Sequence, residues 1–482
     1  MLPANVCPAR WVIGWRRTLH SGWMRPTLRP AVLPACFSPY SSLVFTSDIL
    51  ILGAGAAGLL AARTLAQAGR RVTVLEARSR PGGRILTLGT EAGFSAPTEA
   101  GAEFLHGDVP LTRQLLQAYG IGWHDTAGTT YEVANGQARP AEMFLEDLPL
   151  LLEKLGQLPQ DIPLADFLEQ YFPGPEYADL RRQATSFAEG YDAADARRVS
   201  SFALREEWSG NGAQDSPRPE GGYAGLVAGL VGELRAAGGE LVLDAVAARL
   251  VWQPGQAQVW CQDGRVFEAP QVLLTVPLGV WQAAEGQPGH FSLEPELPGH
   301  RAAAQQLGFG PVIKYLLEFH APIWEQLSAE IGQALPEVGF LFSDAPVPTW
   351  WSQQPSPRTL LTGWVAGPAA AQRQHLSPAE LLTEALNSVA YLLHASPEYV
   401  RQQLRAHQVV NWGTDPLALG AYSYAVVDAA AHRATLSAPV QHTLFVAGEG
   451  VYTGPYTGTV EAALVTGAAA ARRMLHAPLP AG

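Results

Sequence analysis

A glycine-rich turn between an apolar segment and a helical segment constrains the fold of this chain more than any other feature. Residues 53–58 read G-A-G-A-A-G and follow the apolar run 47–52, and helical spacing continues over 58–67. A second apolar run, 71–75, comes next. A strand, a helix and a strand in this order form a β-α-β unit whose strands lie parallel. The sequence therefore predicts a parallel sheet near the start of the folded region.

The residues of this turn are those that a dinucleotide requires. Gly53 and Gly55 permit a tight turn and the close approach of a diphosphate, and Gly58 lets the helix pack on the sheet. The N-terminus of the helix supplies amide donors to the phosphates. Glu76 ends the second strand, where a carboxylate accepts the hydroxyls of a ribose. We expect a dinucleotide without a 2′-phosphate, bound by these residues together with Ala57.

A basic segment after the second strand separates two candidate dinucleotides. Residues 78–84 read R-S-R-P-G-G-R. An NAD site has no need of a second glycine-arginine cluster here, whereas the run resembles the G-G-R extension of glutathione-reductase-like FAD proteins. This resemblance implies FAD and places Arg84 near the diphosphate or the flavin edge, with Ala77, Arg78 and Gly83 as further contacts. The alternative is a solvated basic turn.

Charge and composition exclude several classes of protein. The net charge is −12, so nucleic acid, which requires a basic surface, is not an expected partner. Three widely spaced cysteines form neither a disulfide framework nor a zinc site, so we expect no metal and a cytoplasmic location. No apolar run reaches the roughly 18–20 residues of a membrane span. We expect a protein that binds no membrane, either a monomer or a homodimer.

Residues 1–46 differ in composition from the rest of the chain. They contain arginines but no acidic residue, and prolines and tryptophans interrupt any regular pattern. A transit peptide has such a composition, and a start codon assigned too early, with the true start near Val44, is the alternative. Prolines interrupt the amphipathic helix that a transit peptide needs, which favours the second interpretation. In both cases we expect 1–46 to be an unstructured leader outside the fold.

The rest of the chain alternates between helical and strand-forming stretches. Residues 110–210 predict mostly helices, and 211–222 predict a polar loop that crosses between domains. Strands are predicted over 240–276, and antiparallel strands over 310–365. Ser377 begins a capping box that starts a helix. We expect a discontinuous FAD-binding domain of 47–120, 215–285 and 405–475, and a substrate-binding domain of 121–214 and 286–404.

Further segments together resemble a single family. They are G-A-E-F-L-H-G at 101–107, T-V-P-L-G at 275–279, W-G-T-D-P-L-A-L-G-A-Y-S-Y at 412–424, V-A-G-E at 446–449 and G-T-V-E-A-A-L-V-T-G at 458–467. With the N-terminal motifs they resemble the flavin-containing amine oxidases, which include monoamine oxidases, polyamine oxidases and the catalytic domain of histone lysine demethylases. The resemblance covers about 48–475. It implies an α/β fold, with a glutathione-reductase-like (Rossmann) FAD-binding domain and a mixed α+β substrate domain.

The resemblance implies roles for residues around the cofactor. Glu449 matches the glutamate that holds a ribityl hydroxyl of FAD, and Gly448 precedes it. Thr459 and Val460 begin the last helix, whose amides would face the flavin N1 and C2 carbonyl. A helix N-terminus there stabilises the negative charge of a reduced flavin. Val246 matches the position whose backbone contacts adenine.

Two further positions concern the flavin ring and its attachment. Lys314 matches the family lysine that is bonded through water to flavin N5, and its apolar neighbours predict a buried ammonium. Ala421 aligns with the cysteine that monoamine oxidases join covalently to FAD, so we expect noncovalent FAD. Acidic Glu103, Asp108 and Glu189 would suit a cationic amine, although each alone is also typical of a solvated surface.

Aromatic residues and a histidine are the candidates for substrate contact. Tyr422 matches an aromatic residue of the cage that orients an amine against the flavin. Tyr456, Tyr452 or Trp412 could complete this cage, and Trp412 is also a candidate contact of the cofactor. His106 lies where some polyamine oxidases have a histidine, and could bond a substrate amine or act as a pH-sensitive group. A structural role is the alternative for each.

The resemblance implies FAD-dependent oxidation of a primary or secondary amine, either a monoamine or a polyamine. The amine would become an imine that hydrolyses to an aldehyde or ketone, while dioxygen is reduced to hydrogen peroxide. Two other interpretations stay open. One is a flavoenzyme of the same fold, an L-amino-acid oxidase or a carotenoid-type desaturase. The other is a non-catalytic FAD-binding scaffold.

Overall fold

The computed structural model describes residues 44–141, 147–209 and 216–477. Most strands belong to three sheets. In chain order the strands are β1 Val44–Thr46, β2 Ile49–Leu52, β3 Val72–Leu75, β4 Thr87–Leu88, β5 Thr98–Glu99, β6 Trp123–His124, β7 Thr129–Ala134, β8 Gln137–Pro140, β9 Arg218–Pro219, β10 Glu240–Val242, β11 Ala247–Gln253, β12 Gln256–Cys261, β13 Val266–Ala269, β14 Gln271–Leu274, β15 Ser292–Glu294, β16 Gly308–Gly310, β17 Val312–Phe319, β18 Val338–Ser343, β19 Thr349–Trp351, β20 Leu360–Ala366, β21 Leu404–Asn411, β22 Tyr422–Tyr424 and β23 Leu444–Val446.

The helices cover the sheets and connect them. In chain order they are α1 Ala56–Gln67, α2 Pro110–Ala118, α3 Leu148–Gly156, α4 Leu164–Tyr171, α5 Ala178–Tyr191, α6 Ser201–Trp208, α7 Ala224–Ala236, α8 Leu278–Gln282, α9 Pro298–Gln306, α10 Gly367–Gln372, α11 Pro378–Leu393, α12 Pro397–Gln402, α13 Ala429–Leu436 and α14 Val460–His476. None of the helices in the described ranges combines the length and apolar composition needed to cross a membrane.

The predicted β-α-β unit forms the centre of a parallel sheet. Its strand order is β10-β3-β2-β14-β23, and every neighbouring pair is parallel. Strands β2, β3 and β14 are buried at every position, as expected for a sheet that is covered on both faces. Helix α1 packs against α7 and α14. The strand and helix predictions around the glycine-rich turn are therefore confirmed.

A second sheet of order β1-β13-β12-β11-β15 contains the predicted hairpin and a strand that was assigned to the leader. Strands β12 and β13 pair antiparallel, as predicted. Val44–Thr46 pairs parallel with Val266–Glu268, and the rings of Phe45 and Phe267 stack at 5.1 Å. The fold therefore includes residues 44–46 of the predicted leader. Residues 44–46 are exposed and too few to show a periodic hydrophobic pattern. They form a strand because they pair with β13, more than two hundred residues later. Residues 1–43 lie outside the described residues.

A third sheet of order β21-β17-β20-β19-β18-β7-β8 includes two strands from 110–210, a range whose helices α2 to α6 confirm the mostly helical prediction. Strands β6, β7 and β8 lie inside that range. Strand β7 pairs parallel with β18, two hundred residues later, and this tertiary pairing gives no local pattern. A local signal for the β7–β8 hairpin did exist: Asn135 and Gly136 both have positive φ, at 50° and 75°, which Asn-Gly turns favour.

The remaining secondary-structure predictions hold where the structure describes them. The expected antiparallel strands surround Lys314, which lies on the fully buried β17. The capping box at Ser377 is present at the start of α11, with both of its reciprocal hydrogen bonds. Of the predicted polar crossing loop, 211–222, residues 211–215 lie outside the described residues, and the rest contains the short strand β9.

Candidate active site

A cavity of about 1890 Å³ extends from the glycine-rich turn to the sheet that carries Lys314. Pockets for drug-sized ligands have volumes of roughly 300–1,000 Å³, so this cavity has room for a large cofactor and a second molecule. Of the predicted site residues, Gly58 does not line it. The residues that do are Gly53, Gly55, Ala57, Glu76, Ala77, Arg78, Gly83, Arg84, His106, Val246, Lys314, Trp412, Tyr422, Gly448, Glu449, Tyr456, Thr459 and Val460.

The glycine-rich turn is built by close packing against the adjacent strand ends. Gly53 has a φ of 106°, and a Cβ there would lie 2.8 Å from the hydroxyl of Thr275. A Cβ on Gly58 would collide with the carbonyl oxygen of Gly53, which explains its role beneath the turn rather than in the cavity wall. Gly55, the N-cap of α1, has no side chain to cap the helix and faces open space. The first amides of α1 are therefore free to bind an anion.

Glu76 holds the turn in place as well as facing the cavity. Its carboxylate accepts hydrogen bonds from the amides of Ala54 at 2.7 Å and Arg78 at 2.9 Å. Burial raises the pKa of Glu76, and these two amides and Arg78 oppose that rise. A carboxylate oxygen accepts more than one hydrogen bond, so each retains capacity for a ribose hydroxyl.

Glu449 is the centre of a second buried network. Its carboxylate accepts from Arg84 at 2.7 Å and from the hydroxyl and amide of Ser423 at 2.6 and 3.1 Å. Arg84 also donates to the carbonyl of Ala421 at 2.7 Å. Thr459 caps the N-terminus of α14 by accepting from the amide of Ala462. The G-G-R segment, the V-A-G-E segment and the last helix thus meet at one end of the cavity.

Lys314 is buried and forms part of a three-charge cluster, here called the Lys314 cluster: Lys314, Glu103 and Arg218. Its ammonium donates to Glu103 at 2.7 Å and to the carbonyl of Gly101 at 3.2 Å. The other oxygen of Glu103 accepts from Arg218 at 2.9 Å and from the indole of Trp351 at 3.0 Å. Burial alone would raise the pKa of Glu103, but Lys314 and Arg218 lower it to about 2.

This cluster changes the interpretation of the acidic residues near His106. Glu103 was expected to suit a cationic amine, but Lys314 and Arg218 already occupy its two oxygens. Asp108 and Glu189 also line the cavity and have no such ion pair among those the structure describes. Arg218 and Trp351 carried no sequence signal, because they are brought to Glu103 from distant strands.

His106 and Tyr422 lie on the same side of the cavity, linked through Tyr191. The Nδ1 atom of His106 is 3.1 Å from the hydroxyl of Tyr191, whose backbone carbonyl accepts from Tyr422 at 2.6 Å. The ring of Tyr422 stacks on Trp364 with centroids 6.5 Å apart. Burial lowers the pKa of His106 to about 4, although Glu103 opposes the change. The imidazole is therefore neutral near pH 7.

The other three aromatic candidates differ in their surroundings. Tyr456 lies against Gly107, where a Cβ would be 2.9 Å from its ring, so it neighbours the His106 segment. Trp412 is buried, and its indole donates to the carbonyl of Ala100 at 3.1 Å. Tyr452 does not line the cavity. The structure thus brings Tyr422, Tyr456 and Trp412 to one cavity.

Two carboxyl groups that the sequence analysis did not identify, Asp192 and Glu207, also line the cavity. Burial raises the pKa of Asp192 well above its ordinary value, and the neighbouring Glu207 adds to the rise. The Oδ2 atom of Asp192 is buried and has no hydrogen-bond partner among the described residues. Neither residue belongs to a sequence motif. Asp192 follows α5 and Glu207 lies on α6, so the two become neighbours only in the tertiary structure.

The residues present fit FAD. The glycine-rich turn leaves open space beside the free amides of α1, as a diphosphate requires. Glu76 and Glu449 supply buried carboxylates for ribose and ribityl hydroxyls. The cavity that joins them continues to the Lys314 cluster.

Comparison with known proteins gives a consistent result. The model of a family described as flavin containing amine oxidoreductase matches residues 56–475. "Lysine-specific histone demethylase 1 homolog 2" of Oryza sativa subsp. japonica is 27% identical over 473 residues, which cover 93% of this chain and 59% of that protein. "Polyamine oxidase 4" of the same organism is 26% identical over 479 residues, 92% of this chain and 90% of that one. The chain thus spans less than two thirds of some relatives that it matches.

Solved structures show the same fold. Wild-type putrescine oxidase bound to putrescine has a TM-score of 0.73 and 20% identity, with 90% of this chain and 99% of that chain covered. Cyclohexylamine oxidase from Brevibacterium oxydans IH-35A has a TM-score of 0.72 and 20% identity, with 89% and 98% covered. The mixed α/β architecture of this chain is therefore that of these two oxidases.

Proposed function

We propose that this chain, which belongs to the family of flavin containing amine oxidoreductases, is an enzyme that oxidises a small primary or secondary amine. Family membership makes FAD its cofactor. The observation that carries the proposal is the continuity of one cavity from the glycine-rich turn to the Lys314 cluster and Tyr422. A site for a dinucleotide thereby shares its space with a site for a second, smaller molecule.

The proposed cofactor site follows the sequence assignments. The parallel sheet would be the core of a glutathione-reductase-like FAD domain, built from 47–120, 215–285 and 405–475, and the rest would form the substrate domain. Noncovalent attachment is expected because Ala421 has no nucleophile. Gly58 is proposed to act from beneath the turn by packing the helix against it. The residues proposed to contact FAD are Gly53, Gly55, Ala57, Glu76, Ala77, Arg78, Gly83, Arg84, Val246, Trp412, Gly448, Glu449, Thr459 and Val460.

The chemistry that bound FAD supplies is two-electron redox chemistry between the amine and dioxygen. The side chains of this protein would orient the amine and set the local charge. Tyr422, stacked on Trp364, offers an aromatic face against which an amine packs. His106 is neutral near pH 7, so it adds no positive charge that would repel the substrate. Tyr456 closes the same side of the cavity.

We propose that the ammonium of Lys314 is a hydrogen-bond donor held at a fixed place in the cavity wall. Its ammonium is anchored by Glu103 and the carbonyl of Gly101, which leaves one of its three N–H donors uncommitted. A donor held in this way costs little reorganisation when charge develops beside it. Lys314 and Arg218 together carry one charge more than Glu103 neutralises. Glu99, whose pKa burial raises to about 7, also acts on the charge of Lys314.

Substitution of Lys314 tests this role. In Lys314→Met, Glu103 retains Arg218 and Trp351, so the protein should fold and keep FAD. Amine-dependent flavin reduction or reoxidation by dioxygen, followed by stopped-flow absorbance, should slow by about tenfold or more, equivalent to about 1.4 kcal/mol. Lys154→Met is the matched control, because Lys154 pairs with Glu153 outside the cavity. Unchanged rates in Lys314→Met would refute the role.

The function itself is tested by anaerobic titration of the holoenzyme with spermine, tyramine and L-amino acids. Bleaching of the flavin absorbance by an amine, with hydrogen peroxide formed when air is admitted, is the expected result. Bleaching only by amino acids would favour an L-amino-acid oxidase. No bleaching by any of them would favour a desaturase or a non-catalytic scaffold. Acid precipitation should release the flavin into the supernatant, and colour retained in the pellet would contradict noncovalent attachment.

A further inference from the structure

One buried cation in the cavity wall has no ion pair with any residue that the structure describes, and it has no role in the site described so far. Arg433 lies on α13 and is 5% exposed, yet it lines the cavity. Its Nε and Nη2 atoms are buried and have no hydrogen-bond partner among the described residues. Burial lowers the pKa of this guanidinium, and the charge of Glu449 opposes that change.

A buried guanidinium without partners is unusual in a folded protein. Arginine stays protonated, and a buried charge is destabilising unless hydrogen bonds and an opposite charge compensate it. Glu449 is the acidic residue whose charge acts on Arg433, but its oxygens already accept from Arg84 and Ser423. Among the described residues, no hydrogen bond joins Arg433 to that carboxylate, so its buried Nε and Nη2 donors are left for a ligand in the cavity that Arg433 lines.

The charges at this end of the cavity leave positive charge over. Arg78 pairs with Asp415, and Arg84 pairs with Glu449. Arg80 donates to the carbonyls of Pro81, Gly83 and Ile85, which carry no formal charge. Glu76 and Asp415 also act on the charge of Arg80, and Arg80 does not line the cavity. Arg433 therefore remains as a buried cation of the cavity wall with no ion pair among the described residues. An anionic group on a bound ligand would compensate this charge.

We propose that Arg433 binds the diphosphate of FAD and contributes positive charge that neutralises it. The proposal rests on FAD being the cofactor of the proposed function. It follows from the unpartnered donors of Arg433, from their burial in the cavity wall, and from the diphosphate being the anionic part of FAD. A planar guanidinium with free donors also matches phosphate oxygens well.

The test compares ligands with and without a diphosphate on apoprotein that has been stripped of flavin. Dissociation constants for FAD and riboflavin are measured by flavin fluorescence for wild type, Arg433→Met, Arg433→Lys and Arg401→Met. Arg401 is an exposed arginine on α12 outside the cavity, and its substitution is the matched control. Loss of charged hydrogen bonds should weaken FAD binding by Arg433→Met about 10- to 100-fold, since each contributes about 1.5–3 kcal/mol.

Riboflavin, which has no diphosphate, should bind wild type and Arg433→Met within about twofold of each other. The affinity of Arg433→Lys for FAD should lie between the affinities of wild type and Arg433→Met. Lysine restores the positive charge at this position but not the planar set of donors. Inorganic diphosphate should raise the melting temperature of wild-type apoprotein more than that of Arg433→Met. The melting temperature of Arg433→Met without ligand should equal or exceed that of wild type, because an unpaired buried charge has been removed.

Two results would overturn the inference: unchanged FAD affinity in folded Arg433→Met, or equal weakening of FAD and riboflavin. Neither depends on turnover, so the outcome is separate from that of the proposed function. A protein that binds FAD through Arg433 but is bleached by no amine would keep this inference and refute the function. Normal amine oxidation by an FAD-saturated Arg433→Met protein with unchanged FAD affinity would support the proposed function and refute this inference.

Discussion

Two carboxyl groups line the same cavity and are held in opposite states of charge. Glu103 and Asp192 are both desolvated, and desolvation is the largest influence on the pKa of each. The pKa of Glu103 is nevertheless lowered to about 2, whereas that of Asp192 is raised well above its ordinary value. Burial by itself therefore does not determine whether a carboxyl in this cavity is charged.

The donors around each group explain the difference. Glu103 accepts from Lys314, Arg218 and Trp351, so its negative charge is solvated by the protein. Asp192 faces another carboxyl, Glu207, and has one oxygen without a partner among the described residues. The cavity wall at Glu103 thus carries fixed charges, whereas the wall at Asp192 carries a carboxyl group that keeps its proton.

The largest expected effect comes from removing the charge of Glu103. Glu103→Gln leaves two buried cations without their counter-ion, which should lower the free energy of unfolding by about 3–5 kcal/mol. Urea denaturation at pH 7 measures this loss. Glu132→Gln, which breaks the exposed pair with Arg139, is the control and should cost less than about 1 kcal/mol. Equal losses in the two variants would mean that the cluster is no more important than a surface pair.

The second prediction concerns the pH dependence that Asp192 imposes. Its pKa is raised in the folded protein, so above the ordinary value of 3.8 the folded state keeps a proton that the unfolded state releases. Stability therefore falls as pH rises, by at most about 1.4 kcal/mol per pH unit for one proton. Asp192→Asn should reduce this slope between pH 5 and 8 in urea denaturation.

Asp195→Asn provides the control for that slope. The pKa of Asp195 is lowered, chiefly by its hydrogen bond to Arg197, so its contribution is present at neutral pH and lost only in acid. The control should leave the slope between pH 5 and 8 unchanged. An unchanged slope in Asp192→Asn as well would show that Asp192 is ionised like an ordinary surface carboxyl.

The smallest effect on stability is expected from a change beside His106. Tyr191→Phe removes the hydroxyl that lies 3.1 Å from Nδ1 and should cost about 0.5–1.5 kcal/mol of stability. Because burial is the largest cause of the lowered pKa of His106, that pKa should stay below 6.5. NMR titration of the imidazole measures it, with Ser216→Ala as the companion variant. A return to 6.5 would assign the shift to the hydroxyl instead.

The sequence predicted the parts of this molecule that rest on local patterns. The apolar strands and glycine-rich turn around Gly53 depend on neighbouring residues, and so does the capping box at Ser377. The burial of Lys314 was also foreseen, from its apolar strand neighbours. Each of these features is written within about ten consecutive residues, which is the range over which periodicity and turn chemistry operate.

What the sequence could not predict depends on partners far along the chain. The sequence suggested that Glu103 could contact a cationic substrate, because no residue near it in the sequence indicates its ion pairs with Arg218 and Lys314. Strand β7 exists because β18 pairs with it. Arg433 and Asp192 belong to no motif, and their significance lies in what surrounds them. Electrostatic roles in this cavity are thus properties of the tertiary structure.

The parallel sheet has a consequence for how the protein is made. Strand β23 pairs with β14, and α14 packs against α1, so segments beyond residue 440 complete a unit that begins at residue 49. Glu461, on α14, also accepts from the amides of Leu111 and Thr112 at the start of α2. During synthesis the early β-α-β unit must therefore wait, with apolar surface uncovered, until the last helix leaves the ribosome. The order of the strands along the chain thus prolongs the exposure of apolar surface during synthesis, and such surface favours aggregation of incomplete chains.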